Sequence, residues 1–226
     1  MSSGFAVIMT IPFFYPPISA SQGRPEDDVY PRPELAAGFG VSYMAVRDVV
    51  DLINATALPS ERVPDFRAAA EFFGAVSYPV SKEWLLKFEY AYLFASYASA
   101  SPFGQADIGV NVHLLSLLVQ IVLADKGVYN LKLGAGGGVC FGSMSEKYVT
   151  IDDTYSGRGP AVVLEIEANT ALGENLYAYL GGNIRWSFIG ELSNTAGRIP
   201  GRGANGGGTT LSFFGAGARL GLSYSF

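Results

Sequence analysis

The sequence predicts an all-β fold: an eight-stranded antiparallel up-and-down transmembrane β-barrel. Three observations support this prediction. Only 15% of the 226 residues are charged, whereas an ordinary soluble domain has roughly 25%. The longest apolar run, residues 114–124, contains Ser116 and Gln120 and is about half the length that a membrane-spanning helix needs. Apolar and polar residues alternate with period two in eight segments, which is typical of strands whose two faces meet different surroundings.

Composition also excludes several classes of function. The single cysteine, Cys140, rules out an intrachain disulfide, and the single histidine, His113, rules out a histidine-rich metal site. The net charge is −5 without any cluster of Lys and Arg, which argues against nucleic-acid binding. We therefore expect no cofactor, no bound metal and no nucleic-acid partner.

The first 32 residues are predicted to form an N-terminal extension, and residues 33–226 the barrel domain. Residues 5–20 are mostly apolar and end in small residues, which resembles the core of a secretory signal. Three prolines interrupt this run, and the first basic residue is Arg24. Two interpretations stay open: a remnant of a signal segment or an ordered extension.

The first four predicted strands follow from their own alternation. In the first, apolar residues alternate with glycine and serine, and in the second and third they alternate with charged residues. The fourth begins cleanly and loses phase near Leu114, which indicates a bulge or a change of environment. These four segments are 35–45, 66–78, 84–94 and 107–122.

The last four predicted strands alternate more regularly. The fifth sets apolar residues against glycine and lysine, the sixth against glutamate, and the seventh against tyrosine, asparagine and arginine. The eighth places seven apolar residues on one face, from Phe214 to Phe226. These four segments are 129–141, 162–170, 176–188 and 214–226.

The shortage of charge decides which face of the barrel is apolar. A soluble barrel packs large apolar residues inward and covers its outside with Lys and Glu, and this chain has too few charges for such a coat. Apolar residues facing lipid around a polar interior resolve the shortage.

The lengths of the connections predict how the barrel is oriented in the membrane. Long and short connections alternate along the chain, which is typical of transmembrane barrels with short periplasmic turns and four longer extracellular loops. The long connections lie near 48–65, 95–105, 142–159 and 189–208, and the short ones near 79–81, 125–127 and 173–174.

The chain resembles the small eight-stranded outer-membrane barrels, namely the OmpX family and the transmembrane half of OmpA-type proteins. The ending carries the resemblance: Leu220, Leu222 and Tyr224 stand at every second position before the terminal Phe226. This pattern resembles the signal by which the barrel-assembly machinery recognises its clients. The resemblance implies a bacterial outer-membrane location, contact with outer-membrane lipid and lipopolysaccharide, the assembly machinery as a partner, and an unidentified extracellular partner. The peptidoglycan-binding domain of OmpA-type proteins is not expected.

Ten charged residues, five of each sign, are predicted to share the lumen, with Glu34 at its mouth. An eight-stranded barrel encloses only enough room for side chains to fill, and a buried charge without a partner is costly. We therefore expect a polar lumen plugged by ion pairs, and an ion path is the alternative. The ten residues are Arg67, Glu71, Lys87, Glu89, Asp107, Lys132, Glu165, Glu167, Arg185 and Arg219.

No catalytic residue is predicted. The alternation turns His113 inward beside Asn111, and residue 115 is Leu, whereas lipid A deacylases of eight strands carry a serine two residues after a lipid-facing histidine. Cys140 is expected to be a small buried residue. Trp84 and Trp186 are expected at opposite membrane interfaces, where amphipathic rings are favoured.

The function that these patterns favour is that of a structural or surface-interaction protein, acting through its extracellular loops and without enzymatic activity. A narrow porin-like channel for ions or small solutes is the alternative. A lipid A-modifying enzyme is the third hypothesis.

Overall fold

The chain forms ten strands and one helix in the part that the structure, a computed structural model, describes. That part comprises residues 32–56, 68–101, 104–148, 151–195, 197–198 and 208–226. The predicted N-terminal extension, apart from Arg32, lies outside it. The elements are β1 (Glu34–Ala45), α1 (Arg47–Thr56), β2 (Ala69–Pro79), β3 (Trp84–Ser101), β4 (Gly104–Asp125), β5 (Tyr129–Tyr148), β6 (Ile151–Ala171), β7 (Leu176–Ser187), β8 (Ser193–Asn194), β9 (Gly197–Arg198) and β10 (Phe213–Ser225). No helix among the described residues is long and apolar enough to cross a membrane.

Eight of these strands close into a ring. Each strand from β1 to β6 pairs antiparallel with the next one along the chain. The last strand, β10, pairs with β7 on one side and with β1 on the other, from Glu34↔Ser225 to Ala45↔Phe214. A closed ring has no strand edge left to satisfy within the membrane. The predicted eight-stranded up-and-down barrel is confirmed.

The outside of the barrel is apolar and the inside of its periplasmic half is polar. Consecutive residues of β10 demonstrate the alternation, because Arg219 is 1% exposed and Leu220 is 54% exposed. Phe39 on β1, Phe72 on β2 and Phe88 on β3 are likewise exposed. Large apolar side chains on the outer face are what a lipid-facing surface requires, and the predicted inversion is present.

Four strands are much longer than the membrane requires. β4 has 22 residues and β6 has 21, whereas a tilted spanning strand needs roughly 9–11. The prediction of irregular loops at 95–105 and 142–159 is therefore wrong for the described residues of these ranges, which belong to the paired strands β3, β4, β5 and β6. A strand outside the lipid does not need apolar residues on its outer face, so the period-two contrast fades while the backbone pairing continues.

The loss of phase in β4 has a different cause from a bulge. Pairing of β4 with β5 is continuous from Ala106↔Tyr148 to Val122↔Lys132, and the register shifts only between Val122 and Ala124. Ile108, Val110, Val112 and Leu114 are all buried and face the lumen. The predicted bulge near Leu114 is therefore wrong, and the alternative prediction, a change of environment, is correct.

Glycines on the inner face of β5 allow β4 to approach closely. A Cβ at Gly136 would lie 2.0 Å from the Leu117 carbonyl oxygen and 2.7 Å from the Leu118 Cα. Gly137 faces outward, and a Cβ there would meet nothing nearer than 3.3 Å. A side chain at position 136 would therefore clash with the β4 backbone, whereas one at position 137 would meet a looser contact.

Replacing Gly136 by Ala should destabilise the refolded barrel by about 1–3 kcal/mol or more, because the new Cβ forces two paired strands apart. Urea unfolding followed by tryptophan fluorescence measures this change. Gly74→Ala on β2 is the control, because a Cβ at Gly74 would meet nothing within 4 Å, and it should change the free energy of unfolding by less than about 0.5 kcal/mol. Equal effects of the two substitutions would contradict the close approach.

Candidate functional site

Arg219 is the centre of a buried charge network in the lumen. Its Nη1 and Nη2 donate to the two carboxylate oxygens of Glu89, both at 2.8 Å. Its Nε donates to Glu71 at 2.7 Å, and Nη1 also reaches Glu165 at 3.2 Å. The guanidinium lies 4.8 Å from the centre of the Phe73 ring. One side chain thus connects strands β2, β3, β6 and β10 across the lumen.

Lys87 forms the second centre of the network. Its Nζ lies 2.7 Å from Glu165, 3.0 Å from Glu167 and 3.3 Å from Glu89. Gln120 donates to the same Glu165 and Glu167 at 2.9 and 3.1 Å. Each of these carboxylates therefore has several donors, which is the condition under which a buried charge is tolerated.

Two further cations complete the network. Lys132 pairs with Glu167 at 3.0 Å and with Glu34 near the periplasmic mouth. Arg185 donates to Glu71 at 2.8 Å and to the side-chain oxygen of Asn183 at 2.7 Å. Ser42 donates its hydroxyl to Glu71 as well. Among the described residues, four cations and five carboxylates share this space.

The predicted lumen residues divide into three groups. Eight of the ten are buried in the network: Glu71, Lys87, Glu89, Lys132, Glu165, Glu167, Arg185 and Arg219. Asp107 was predicted to face inward, and this is wrong, because it alternates with the inward Ile108 and lies exposed on the outer face. Arg67 lies outside the described residues.

The sequence analysis missed several neutral members of the network. Gln120 sits within an apolar run, where only its spacing from the inward Ser116 and Leu118 marks it as inward-facing. Ser42, Asn169 and Asn183 were on the polar faces of their strands but carry no charge. Counting charges alone could not select them.

The outer half of the lumen has an apolar lining. On β3 and β6, the charged inward residues lie on the periplasmic side of the apolar ones that line the outer half. On β3, Lys87 and Glu89 precede Ala91 and Leu93, and on β6 the polar run ends at Glu165. The buried apolar residues of this half belong to one cluster with residues from both ends of the chain. They are Met44, Leu93, Val110, Val112, Leu114, Cys140, Met144, Val163 and Phe213.

Two connections add their own apolar side chains to this cluster. Val49 and Val50 of α1 are buried in it, as are Ile189, Leu192 and Leu211 of the connection from β7 to β10. Two inward glycines make the room: a Cβ at Gly142 would lie 2.5 Å from Leu211, and one at Gly157 would lie 3.1 Å from Ile189. The connections thus extend into the barrel's outer opening.

His113 faces outward, so its predicted inward orientation is wrong. Its Nδ1 is hydrogen-bonded to the Tyr90 hydroxyl at 2.7 Å, and its ring lies 4.9 Å from that of Tyr92. Tyr92 in turn donates to Asn111 at 2.8 Å. On this part of β4 the apolar residues face the lumen, as described above. His113 lies between the inward Val112 and Leu114 and therefore faces outward. Residue 115, two positions after His113, is Leu.

The remaining predicted residues lie on the outer face. Leu220, Leu222, Tyr224 and Phe226, the predicted assembly signal, are all exposed along the periplasmic end of β10. Trp84 is exposed at the first residue of β3, beside a periplasmic turn. Trp186 is exposed near the outer end of β7, with its ring 5.5 Å from that of Phe214. The two tryptophans thus lie near opposite ends of the apolar surface.

Solved structures with the same architecture exist. Neisserial surface protein A has 9% sequence identity and a TM-score of 0.53, and the alignment covers 86% of this chain and 97% of that one. Ail, the attachment invasion locus protein of Yersinia pestis, solved with the heparin analogue sucrose octasulfate, has 10% identity, a TM-score of 0.52 and coverages of 86% and 99%. A major outer membrane protein from Thermus thermophilus has 12% identity, a TM-score of 0.53 and the same coverages.

The fold is that of the small outer-membrane β-barrels. No family model matches the sequence, and no curated protein sequence matches it. At these low identities, the structural similarity establishes the architecture. The neighbours are bacterial outer-membrane proteins, and the apolar outer face of this barrel is the surface that such a membrane requires.

Replacing Arg219 by Leu should destabilise the barrel by about 3–5 kcal/mol, because Glu89 stays buried without its main cation and Glu71 keeps only Arg185. Urea unfolding of the refolded protein measures this loss. The control is Lys147→Leu, which removes the same charge from an exposed position 3.8 Å from Asp152 and should cost less than about 1 kcal/mol. Adding Glu89→Gln to Arg219→Leu should restore part of the stability. A harmless Arg219→Leu would contradict the network.

Proposed function

We propose that the protein is a structural or surface-interaction protein of the outer membrane, without enzymatic activity, whose lumen is closed to ions and solutes. The observation that carries the closed lumen is its filling in two layers. Side chains in direct ion pairs occupy the periplasmic half, and apolar side chains occupy the outer half. An ion would have to cross both layers.

The periplasmic layer supports closure because its charges already have partners. Arg219 and Lys87 contact carboxylates from strands on both sides of the lumen, at 2.6–3.3 Å. A passing ion would have to replace these contacts, and breaking a buried pair costs roughly 3–5 kcal/mol.

The outer layer supports closure more strongly. Val112, Leu114 and Leu192 are at most 1% exposed, so an ion on this path would exchange its water mainly for apolar side chains. A constriction lined by such side chains excludes ions by dewetting. Opening it would require moving α1 and the connection from β7 to β10 together, since both contribute to the cluster.

The surface role is supported by the two long hairpins. Strands β3 to β6 extend beyond the apolar part of the barrel's outer face. β3 continues to Ser101, although its pairing with β2 ends at Ala70↔Phe94. In the part of the chain that the structure describes, the outer end of β3 therefore pairs only with β4. Such a strand edge is one way in which an extended segment of a partner protein can bind. We propose an extracellular protein as this partner.

The narrow channel remains the second candidate, because the charge network would provide half of a polar path. The enzyme is the weakest candidate, since His113 faces lipid but hydrogen-bonds to Tyr90 and no serine follows two residues later. The proposed partners in the membrane are outer-membrane lipid and lipopolysaccharide. The proposed partner during insertion is the barrel-assembly machinery.

The refolded protein should show no steady single-channel conductance in a planar lipid bilayer, because both layers of the lumen exclude ions. The measurement needs a porin of known conductance as a positive control in the same bilayer. Steady conductance that scales with salt concentration would overturn the closed lumen and favour the channel. Steady conductance from Arg219→Leu, with none from the wild type, would identify the charge network as the sole barrier.

Deleting Phe226 should lower the amount of barrel in the outer membrane of cells but leave the stability of the refolded protein nearly unchanged. Phe226 is 64% exposed, so its loss removes few packing contacts, whereas the assembly machinery would lose its terminal aromatic. Phe39→Ala is the control, because Phe39 is 60% exposed but lies outside the last strand. Normal surface levels after the deletion would contradict the assembly signal.

A further inference from the structure

A groove of about 600 Å³ runs across the outer face of the barrel. It crosses β4, β5 and β6 and ends against the chain segment that follows β7. Its floor is built from small residues on paired strands, since Gly142 pairs with Gly157 and Ser143 pairs with Ser156. The far wall is held in place by the backbone, because Gly190 N–H donates to the Arg158 carbonyl and Ser193 pairs with Ser156.

The groove begins where the apolar surface ends. Outward residues of β5 are apolar as far as Phe141 and polar from Ser143, and those of β6 are apolar as far as Pro160 and polar from Arg158. Phe141 and Arg158 are direct cross-strand partners. Acyl chains would therefore contact the barrel below the groove, and lipid headgroups would lie level with it.

The lining combines a cation with neutral hydrogen-bonding groups and with one carboxylate at its outer rim. The Arg158 side chain is exposed, and no carboxylate of the described residues lies within salt-bridge distance of it. His113 uses Nδ1 for Tyr90, which leaves its Nε2 for a ligand. Glu191 lies at the outer rim, where its carboxylate accepts a hydrogen bond from Gly208 N–H at 3.2 Å. Arg is the side chain best suited to hold a phosphate in the plane of two N–H groups.

We propose that this groove binds a phosphorylated glycolipid of the outer leaflet. Its phosphate contacts Arg158 and the free nitrogen of His113, its sugar hydroxyl groups contact Ser143, Ser156 and Glu191, and its acyl chains lie along Phe141 and the belt below. Three features point to one ligand class: the cation selects an anionic group, the serines and glutamate select hydroxyl groups, and the adjoining belt selects acyl chains. The site rests on lipopolysaccharide being a partner, as proposed above, and is independent of whether the lumen conducts.

The test compares two probes on the refolded protein in detergent micelles: diphosphoryl lipid A, and the same lipid A after removal of both phosphates. Native mass spectrometry measures how much of each probe the barrel retains. Wild-type protein should retain diphosphoryl lipid A with at least about tenfold higher affinity, because a charge-assisted contact to phosphate is lost with the other probe. Arg158→Gln should abolish this preference.

Two further variants make the result specific. Lys147→Gln removes an equal charge from the same hairpin, outside the groove, and should leave the preference unchanged. Ser143→Leu keeps the charge but fills the floor, and it should weaken retention of diphosphoryl lipid A. The shift in gel migration between heated and unheated samples shows that each variant is folded.

Three results would overturn the proposal. Arg158→Gln with the wild-type preference would exclude the phosphate contact, and an equal loss from Lys147→Gln would reduce it to non-specific charge. Competition by inorganic phosphate as strong as that by diphosphoryl lipid A would leave an anion site without a lipid. The glycolipid is supported when Arg158→Gln loses the preference, Ser143→Leu retains less diphosphoryl lipid A and Lys147→Gln behaves like the wild type.

Discussion

The pairing of every backbone N–H and C=O within the membrane is the constraint on which the rest of this structure depends. Lipid offers no hydrogen bonds, so strands can cross it only when the sheet closes on itself. The pairing of β1 with β10 provides that closure. With eight strands the ring is narrow, so side chains from opposite walls meet in the middle. Arg219 on β10 can therefore reach Glu89 on β3 and Glu71 on β2 at once.

The narrow lumen must be filled, and this chain fills it in two ways. The charged layer requires directional contacts, because each carboxylate needs donors from particular strands. The apolar layer requires only shape, and it recruits Ile189, Leu192 and Leu211 from a connection as well as residues from the wall. Gly142 and Gly157 supply the space that these side chains occupy. The charged layer therefore ties strands together across the lumen, and the apolar layer joins the connections to the barrel.

Period-two alternation predicted the strands well because it reports a contrast between two faces. It cannot report which face points inward, and in β4 the answer differs between the two environments. Leu115, Leu117 and Val119 face lipid in the membrane, whereas Val110 and Val112, farther out, face the lumen. The backbone alternates without interruption, yet the apolar set changes sides, and this produced the wrong orientations of His113 and Asp107. Alternation combined with charge predicted the ionic members of the network. It could not select Gln120 or Asn183, because these side chains are neutral.

The height of that change locates the membrane surface on the barrel. A cation on the outer face costs roughly 2–4 kcal/mol at the middle of the bilayer and about 0–1 kcal/mol near its surface. Arg158 is exposed on this face and is the direct partner of Phe141, the last apolar outward residue of β5. His113 pairs with Phe141 from the other side. Three neighbouring strands thus change from apolar to polar at one level, which places the headgroups of the outer leaflet beside Arg158 rather than above the hairpins.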